Sequence, residues 1–502
     1  MAPSIKSLSA TSARPRRRKV SPSLEGLEGR LLLYSTLGAQ WAYGVRITYS
    51  FVPDGANIGG YPSALFQTLD AKFSTATWQQ QFQKAAAVWE AVANINLVQV
   101  PDDGSSLGAS GNQQGDPRFG DIRFSAISQS SGTLAVTFLP PPINGGSDAG
   151  DIVFNSSTDW RINSAYDLQT VAIHEIGHAL GMGHSQISTA VMYAAYNAQK
   201  QKLTSDDVIG IQSIWQAPQP DQFNSNGRSN SSFLWPASVT SYIDASAQVS
   251  IPGLALNTTG QNEWFYVTVP ASTTGTMVAT VQSSGLSSLS PKITVFNSML
   301  LGLGQSSSTK FGDTVSVSVP GVRAGQGYLI RVTATPGGTL IGDFGLQLNF
   351  GSDAQAPIAP PNTAVPERPD QGGGMLGLEM KIGHGGLVKV GNHIAWGETL
   401  TTDEVAPHGH LPHANIREFA NRSAAGLDAA AITTLDLAVP DRDNATEASH
   451  GNRGRAVPDS VALLVDATSR LADVNEAVDH LLADGELRGL RLRFGWLDLQ
   501  SS

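Results

Sequence analysis

The chain has 502 residues, 15% of them charged, and a formal net charge of −10; it is long enough for two or three domains with cores of their own. The negative balance argues against nucleic acid as a partner, because phosphate binding needs a basic face. The absence of cysteine excludes disulfide staples, thiolate metal sites and a cysteine nucleophile. No apolar run reaches the roughly eighteen residues that a membrane-spanning helix needs.

In chain order, residues 1–40 open with the basic run RPRRRK (Arg14–Lys19) and a short apolar stretch, Leu31–Ala39. This pattern predicts an export-related leader, with a basic arm as the plain alternative. From Trp41 the text becomes structured. VRITYSFV (Val45–Val52), INLVQV and DIRFSAI read as strands, and GTLAVTFLPPP as a strand stopped by prolines. TWQQQFQKAAAVWEAVA (Thr77–Ala93) places Trp78, Phe82, Ala85, Val88, Trp89 and Val92 at helical spacings. YDLQTVAIHEIGHALG predicts a second helix with Asp167 as N-cap and Gly181 as its stop. LTSDDVIGIQSIWQ (Leu203–Gln216) predicts a third.

A first domain therefore spans residues 41–217. Residues 221–351 hold many short β-rich runs punctuated by Gly, Ser, Thr and Pro, the pattern of an all-β sandwich. Residues 352–457 begin with a Pro/Gly-rich tether and are expected to be mostly disordered. A short helical segment is expected in 458–502, over Pro458–Leu487.

VAIHEIGHALGMGHS (Val171–Ser185) concentrates the chemistry. The chain has ten histidines, and His174, His178 and His184 are the only ones before His384. Residues four apart on a helix lie on one face about 5–6 Å apart, so His174 and His178 can reach one metal. Gly181 lets the chain leave the helix and return, bringing in His184. Three imidazoles leave a fourth position open for water, as in a catalytic zinc site. Glu175 stands beside the metal as a general base for that water. HGHLPH (His408–His413) is a weaker metal candidate, or else a solvated loop.

These residues resemble the metzincin zinc endopeptidases, and Ser185 after the third histidine resembles the matrixin branch. AVMY (Ala190–Tyr193) looks like the family's Met-turn, which makes Met192 the floor under the histidines. WAYGVRITYSFVPDG, AAAVWEAVANINLVQV and LTSDDVIGIQSIW extend the likeness over most of the first domain. The resemblance implies an α+β zincin fold with a twisted, mostly parallel five-stranded sheet and three helices. It implies that GTLAVTFLP is the edge strand holding an extended peptide through the backbone of Leu134 and Ala135. The loop at Ala194–Tyr196 would wall the pocket after the scissile bond, with Tyr196 touching substrate. It also implies that the second of Asp206 and Asp207 anchors a new N-terminus after activation.

Departures from the family pattern carry their own expectations. Val136 and Val153 stand where a second, structural zinc would need histidines, so one catalytic zinc is expected. The family's calcium acids appear as Asn155 and Thr158, leaving calcium only an altered site at Asp148, Asp151 or Asp159. Control through a prodomain cysteine is excluded. The β-rich region, through NEWFYVTVP and GQGYLIRVTATPGGTLIGDFGLQLNF, resembles bacterial prepeptidase C-terminal-type sandwiches. That implies an accessory module binding protein or carbohydrate, or a plain spacer. The sequence thus points to an exported, extracellular or cell-surface bacterial endopeptidase acting on protein or peptide. Two rivals stand beside it: a surface-attachment or binding protein with a vestigial metallopeptidase domain, and a non-peptidase zinc hydrolase.

Overall fold

The computed structural model describes residues 34–225, 227–367 and 375–381, and the backbone of 387–390, 432–433 and 463–464. The first region is built on β1 (Ile47–Phe51), α1 (Leu65–Asp70), α2 (Thr75–Glu90), β2 (Leu97–Gln99), β3 (Ile122–Ile127), β4 (Thr133–Phe138), β5 (Ile152–Asn155), α3 (Leu168–Ala179) and α4 (Ser205–Trp215). Strand β1 pairs in parallel with β2 and β3, and β3 pairs in parallel with β5. Only β4 runs antiparallel, against β5. Every residue of β1, β3, β4 and β5 is buried, as near-continuous apolar runs in a covered sheet require.

Four helices are present where three were expected. The extra one, α1, is too short to show a helical period, and its own N-cap residue, Ala64, makes no side-chain cap. Its free amides are instead met by Asp54, whose carboxylate accepts from Phe66 N at 2.9 Å and Gln67 N at 2.7 Å. Helix α2 starts at the Ser74 cap and buries Trp78, Phe82, Ala85, Ala86 and Trp89. Helix α3 is buried all round, the signature of a helix enclosed by other elements: it packs against α2 on one side and β4 on the other.

The second region comprises β6 (Gln248–Leu256), β7 (Glu263–Thr268), β8 (Thr276–Gln282), β9 (Pro291–Asn297), β10 (Gly302–Ser307), β11 (Thr314–Pro320), β12 (Gly327–Ala334) and β13 (Gly342–Asn349). They form two antiparallel sheets, ordered β6-β13-β8-β11 and β10-β9-β12-β7, the second extended by the short strand Ala237–Ser238. Both sheets contribute to one core around Phe265, Ile293, Phe344 and Val317. In β11 the alternation is strict, with Val315, Val317 and Val319 inward and Ser316 and Ser318 outward. The two regions touch through side chains. Ser288 Oγ donates to the Glu90 carboxylate, Asn96 Nδ2 donates to Asp343 Oδ2 at 2.9 Å, and Arg46 Nε donates to Gly285 O at 3.0 Å.

Of the stretch expected to be mostly disordered, residues 352–367 and 375–381 are described, with the backbone of 387–390 and 432–433. The Gln282 side chain holds both N and O of Ile358 at 2.9 Å, and Val365–Pro366 pairs with Asn112–Gln114. Further on, β14 (Met375–Lys381) pairs antiparallel with β4, and β15 (Leu387–Val390) pairs with β14. The five-stranded sheet thereby becomes seven-stranded, ordered β15-β14-β4-β5-β3-β1-β2. The hydrogen-bond partners of these described segments are strands far away in sequence. Pro458–Leu487 lies outside the described residues except for Leu463–Leu464, which pair as a strand with Ile432–Thr433. Arg14–Lys19 and His408–His413 also lie outside them.

Candidate metal centre

Helix α3 presents His174 and His178 one turn apart, and three tryptophans fix its backbone. Trp89 Nε1 donates to Ile173 O at 2.9 Å, Trp41 Nε1 to Ala179 O at 2.8 Å, and Trp215 Nε1 to Leu180 O at 2.9 Å. The last two carbonyls are orphans of the helix C-terminus, so the indoles complete its hydrogen bonding from outside. At the other end Asp167 accepts from Thr170 N at 2.9 Å.

After Leu180 the helix stops. Gly181 takes a φ of +99°, and a Cβ there would lie 2.2 Å from Ala39 O. Gly183 is constrained by approach as well: its N–H donates to Ser35 O at 2.8 Å, and a Cβ would meet Ser35 Oγ at 2.0 Å. Only glycines let this turn pass beneath residues 35–39. His184 then reaches the helix face, and Ser185 N donates to Met192 O at 2.7 Å.

The three imidazoles converge. His178 Nε2 lies 2.9 Å from His174 Nε2 and 3.2 Å from His184 Nε2. Among the described residues they are the one group of three metal-ligating side chains whose donor atoms all lie within 4.8 Å of one another. His174 Nδ1 is 2.8 Å from Val191 O, and His178 Nδ1 is 2.8 Å from Met182 O. A carbonyl only accepts, so both Nδ1 atoms carry the proton and both Nε2 lone pairs face inward. Burial, reinforced by the neighbouring imidazoles, lowers His174 to about 3 and His178 and His184 well below the usual histidine value. Neutral rings with facing lone pairs repel unless a cation lies between them. Tetrahedral ligands about 2.0–2.1 Å from zinc stand about 3.3 Å apart, close to the separations here. The triad fits a zinc site.

Glu175 is fully buried, and Thr137 Oγ1 of β4 donates to its Oε2 at 2.5 Å. Met192, also fully buried, lies directly under α3, where a Cβ on Gly177 would be 2.4 Å from its Sδ. The turn that carries it is fastened by Asp207, whose carboxylate accepts from Val191 N at 3.0 Å, Met192 N at 3.1 Å and Thr204 N at 2.8 Å. Asp207 thus joins the turn around Met192 to the α4 cap, and the residues that its implied N-terminal anchoring role would involve lie outside the described ones. Asp206 accepts from Ser185 Oγ at 2.5 Å.

The expected peptide-contact residues lie together at one edge. Leu134 and Ala135 belong to β4, whose outer edge carries β14, with Ala135 opposite Met380. Tyr196 N donates to Lys381 O at 3.0 Å, and its hydroxyl accepts from Asp167 N at 3.0 Å. Val136 and Val153 face each other, buried, across the β4–β5 pair. Of the calcium candidates, Asn155 bridges Gln129 N, Ser157 N and Thr133 O. Asp159 pairs with Lys72 and Arg161, and Asp151 accepts from Arg123 N at 2.8 Å.

Sequence reasoning missed Thr137, Asp207's true partners and Asn144, whose side chain grips β14. Thr137 left a faint signal as a polar residue inside an apolar strand. Asn144 left none.

Residues 64–216 match the Peptidase_M10 family model, described as Matrixin. Karilysin of Tannerella forsythia is 45% identical over 89 residues, covering 18% of this chain and 19% of that protein. Metalloendoproteinase 2-MMP of Arabidopsis thaliana is 33% identical over 208 residues, covering 37% of this chain and 50% of that protein. The hatching enzyme of Paracentrotus lividus is 30% identical over 192 residues, covering 37% and 28%. The chain thus spans at most about half the length of these relatives. Within it, residues 64–216 form a matrixin domain.

Proposed function

We propose that the chain is a zinc-dependent endopeptidase. The supporting observation is the convergence of three buried imidazoles next in the helix to the buried Glu175, which Thr137 of a sheet strand holds, while that strand's edge already carries an extended peptide strand. His174, His178 and His184 would hold the metal. Zinc bound there would supply a Lewis acid that polarises the scissile carbonyl and lowers the pKa of water to about 7.

The remaining chemistry belongs to the chain. Thr137 fixes one Glu175 oxygen, which orients the carboxylate toward the attacking water. Glu175 takes that water's proton and returns it to the leaving nitrogen. Backbone groups of Leu134 and Ala135 hold the substrate as an added strand, and Tyr196 holds it from the opposite side. Burial keeps the ligand histidines neutral and so available to metal rather than to protons.

The region over 221–351 fits a β-sandwich accessory module that binds protein or carbohydrate, and the chain fits an exported product acting outside the cell. Among the described residues no helix is long and apolar enough to cross a membrane. The vestigial binding-protein alternative leaves the buried Glu175–Thr137 pair without a purpose, since a carboxylate taken from water costs stability unless it has a role.

The test is Glu175→Gln in the full chain, on matched ester and amide substrates. The variant should keep its zinc and lose about 10²–10⁴-fold in kcat on peptides. Unchanged peptide turnover would remove Glu175 from the mechanism, and turnover of esters without peptides would favour a different hydrolase.

A further inference from the structure

Strand β14 lies where a substrate would lie. It runs antiparallel along the outer edge of β4, with Gly377 opposite Phe138, Leu378 opposite Thr137 and Met380 opposite Ala135. Its N-terminal end is gripped at Leu376, whose O accepts from Leu139 N and Asn144 Nδ2, both at 2.9 Å, and whose N donates to Asn144 Oδ1 at 3.1 Å. Its C-terminal end is held from the other side. Lys381 O accepts from Tyr196 N at 3.0 Å, and Lys381 forms a parallel bridge with Ala195. The segment is thus bracketed between the sheet edge and the 195–196 loop.

Side chains follow the same logic. Alternate residues of a strand share a face, and Leu376, Leu378 and Met380 are 7%, 3% and 0% exposed. Met380 belongs to the same core cluster as Met192, Ile173 and Ile176 of the metal centre, with Tyr196 packed against that cluster. Thr137, the register partner of Leu378, is the residue that holds Glu175. The backbone at Leu378 therefore runs beside the strand residue that holds the Glu175 carboxylate. The chain leading there is fastened at Ile358, Val365 and Glu367, whose N donates to Gly111 O at 3.2 Å. Such tethering raises the local concentration of β14 at the cleft to a level no free peptide matches.

We propose that Met375–Lys381 occupies the cleft as an intramolecular substrate, blocking it until the Glu379–Met380 bond is cut. This cleavage rests on the peptidase function proposed above; the occupancy does not. The bond is assigned by its neighbours: Met380 fills the buried apolar recess, and the Tyr196 clamp follows at Lys381. Water is the only co-reactant. Its oxygen bonds to the Glu379 carbonyl carbon, the C–N bond to Met380 breaks, and the proton taken by Glu175 passes to the departing nitrogen. The products are a chain ending in the Glu379 carboxylate and a fragment beginning at Met380.

The test uses the zinc-loaded full chain beside Glu175→Gln, with intact mass, N-terminal sequencing of fragments, and casein as an independent substrate. The wild-type chain should yield a fragment starting at Met380, with a half-time independent of protein concentration, while Glu175→Gln stays whole. Casein cleavage with residues 375–381 left intact would overturn the proposal and leave the peptidase function standing. Cleavage of neither would overturn the self-cleavage, and casein untouched by Met380→Arg as well would overturn the peptidase function with it. A half-time that shortens with concentration would refute the intramolecular route.

Occupancy is read separately in Glu175→Gln by amide exchange over Thr133–Phe138. Adding Met380→Arg should speed exchange there at least tenfold, with the α2 amides unchanged as evidence of folding. Leu378→Asn, a milder change, should act in the same direction. Exchange unaffected by either substitution would show that β14 does not hold the edge.

Discussion

Gly177 lies between the two helical metal ligands, and its replacement by alanine tests how the centre is supported from below. Alanine favours a helix over glycine by about 1 kcal/mol, so on propensity alone Gly177→Ala stabilises. The structure predicts the opposite sign. A Cβ at this position would lie 2.4 Å from Met192 Sδ and 2.8 Å from Trp89 Cζ2. Met192 can shift its thioether, but Trp89 is fully buried and tied by its Nε1 to Ile173 O. Overpacking of this kind costs about 1–3 kcal/mol, leaving a net loss of up to about 2 kcal/mol after the helix gain. That corresponds to a fall in Tm of about 2–8 °C for a domain of this size. The same displacement moves His174 relative to Val191 O, a contact whose disturbance should weaken zinc binding about tenfold. Thermal unfolding and zinc titration of the two proteins provide the assay. Combining Gly177→Ala with Met192→Ala should cost less than the sum of the single changes, because the new methyl enters the space the thioether leaves. A Gly177→Ala protein that is more stable than the parent and binds zinc equally well would refute the account of Met192 as the floor of the site.

Further outcomes follow from the surrounding groups. Asp207→Asn should cost about 1–3 kcal/mol and loosen zinc, since an amide nitrogen would then face backbone donors that now meet carboxylate oxygens; unchanged zinc affinity would count against the link from α4 to the Met-turn. Glu90 is held up to about 7 mainly by burial, with Asp343 adding to the rise and hydrogen bonds from Ser288 and Leu97 opposing it. Between the unfolded value of 4.5 and about 7 the folded chain therefore keeps a proton that the unfolded chain releases. Stability should fall as pH rises through that window, by at most about 3 kcal/mol, and be flat with respect to Glu90 above it. Asp343, raised to about 6 by burial, adds in the same direction. Glu90→Gln should flatten Tm between pH 5 and 8, and an unaltered slope would assign the dependence elsewhere. Removing zinc with a chelator should lower Tm by the linkage term, about 2.7 kcal/mol when free zinc had stood at a hundred times its Kd; a Tm indifferent to the chelator would mean that the metal does not bind the folded state preferentially.

What could be read from the sequence divides by the range of the interactions involved. The convergence of His174, His178 and His184 was legible because helical period and a glycine stop act within eleven positions, Val171 to Gly181, and His184 follows three residues later. The caps at Asp167 and Thr204 are equally local. Helix α1 was not, because Asp54 caps it from twelve residues away. The Trp41, Trp89 and Trp215 bonds to α3 span 138, 84 and 35 residues, and no local pattern encodes them. The pairing of Met375–Lys381 is of the same kind: the grip of Asn144 on Leu376 comes from 232 residues away. Met375–Lys381 alternates as a strand should, yet nothing in its own letters names β4 as the edge it joins.

The most direct test of the central claim is casein digestion by the full chain, after incubation long enough for self-cleavage, beside Glu175→Gln and with zinc measured on both. About one zinc per chain in each protein, with casein cut only by the unmodified chain, is the result expected. Zinc bound in both with casein untouched, by the unmodified chain and by Met380→Arg alike, would contradict the assignment of this centre as a peptidase.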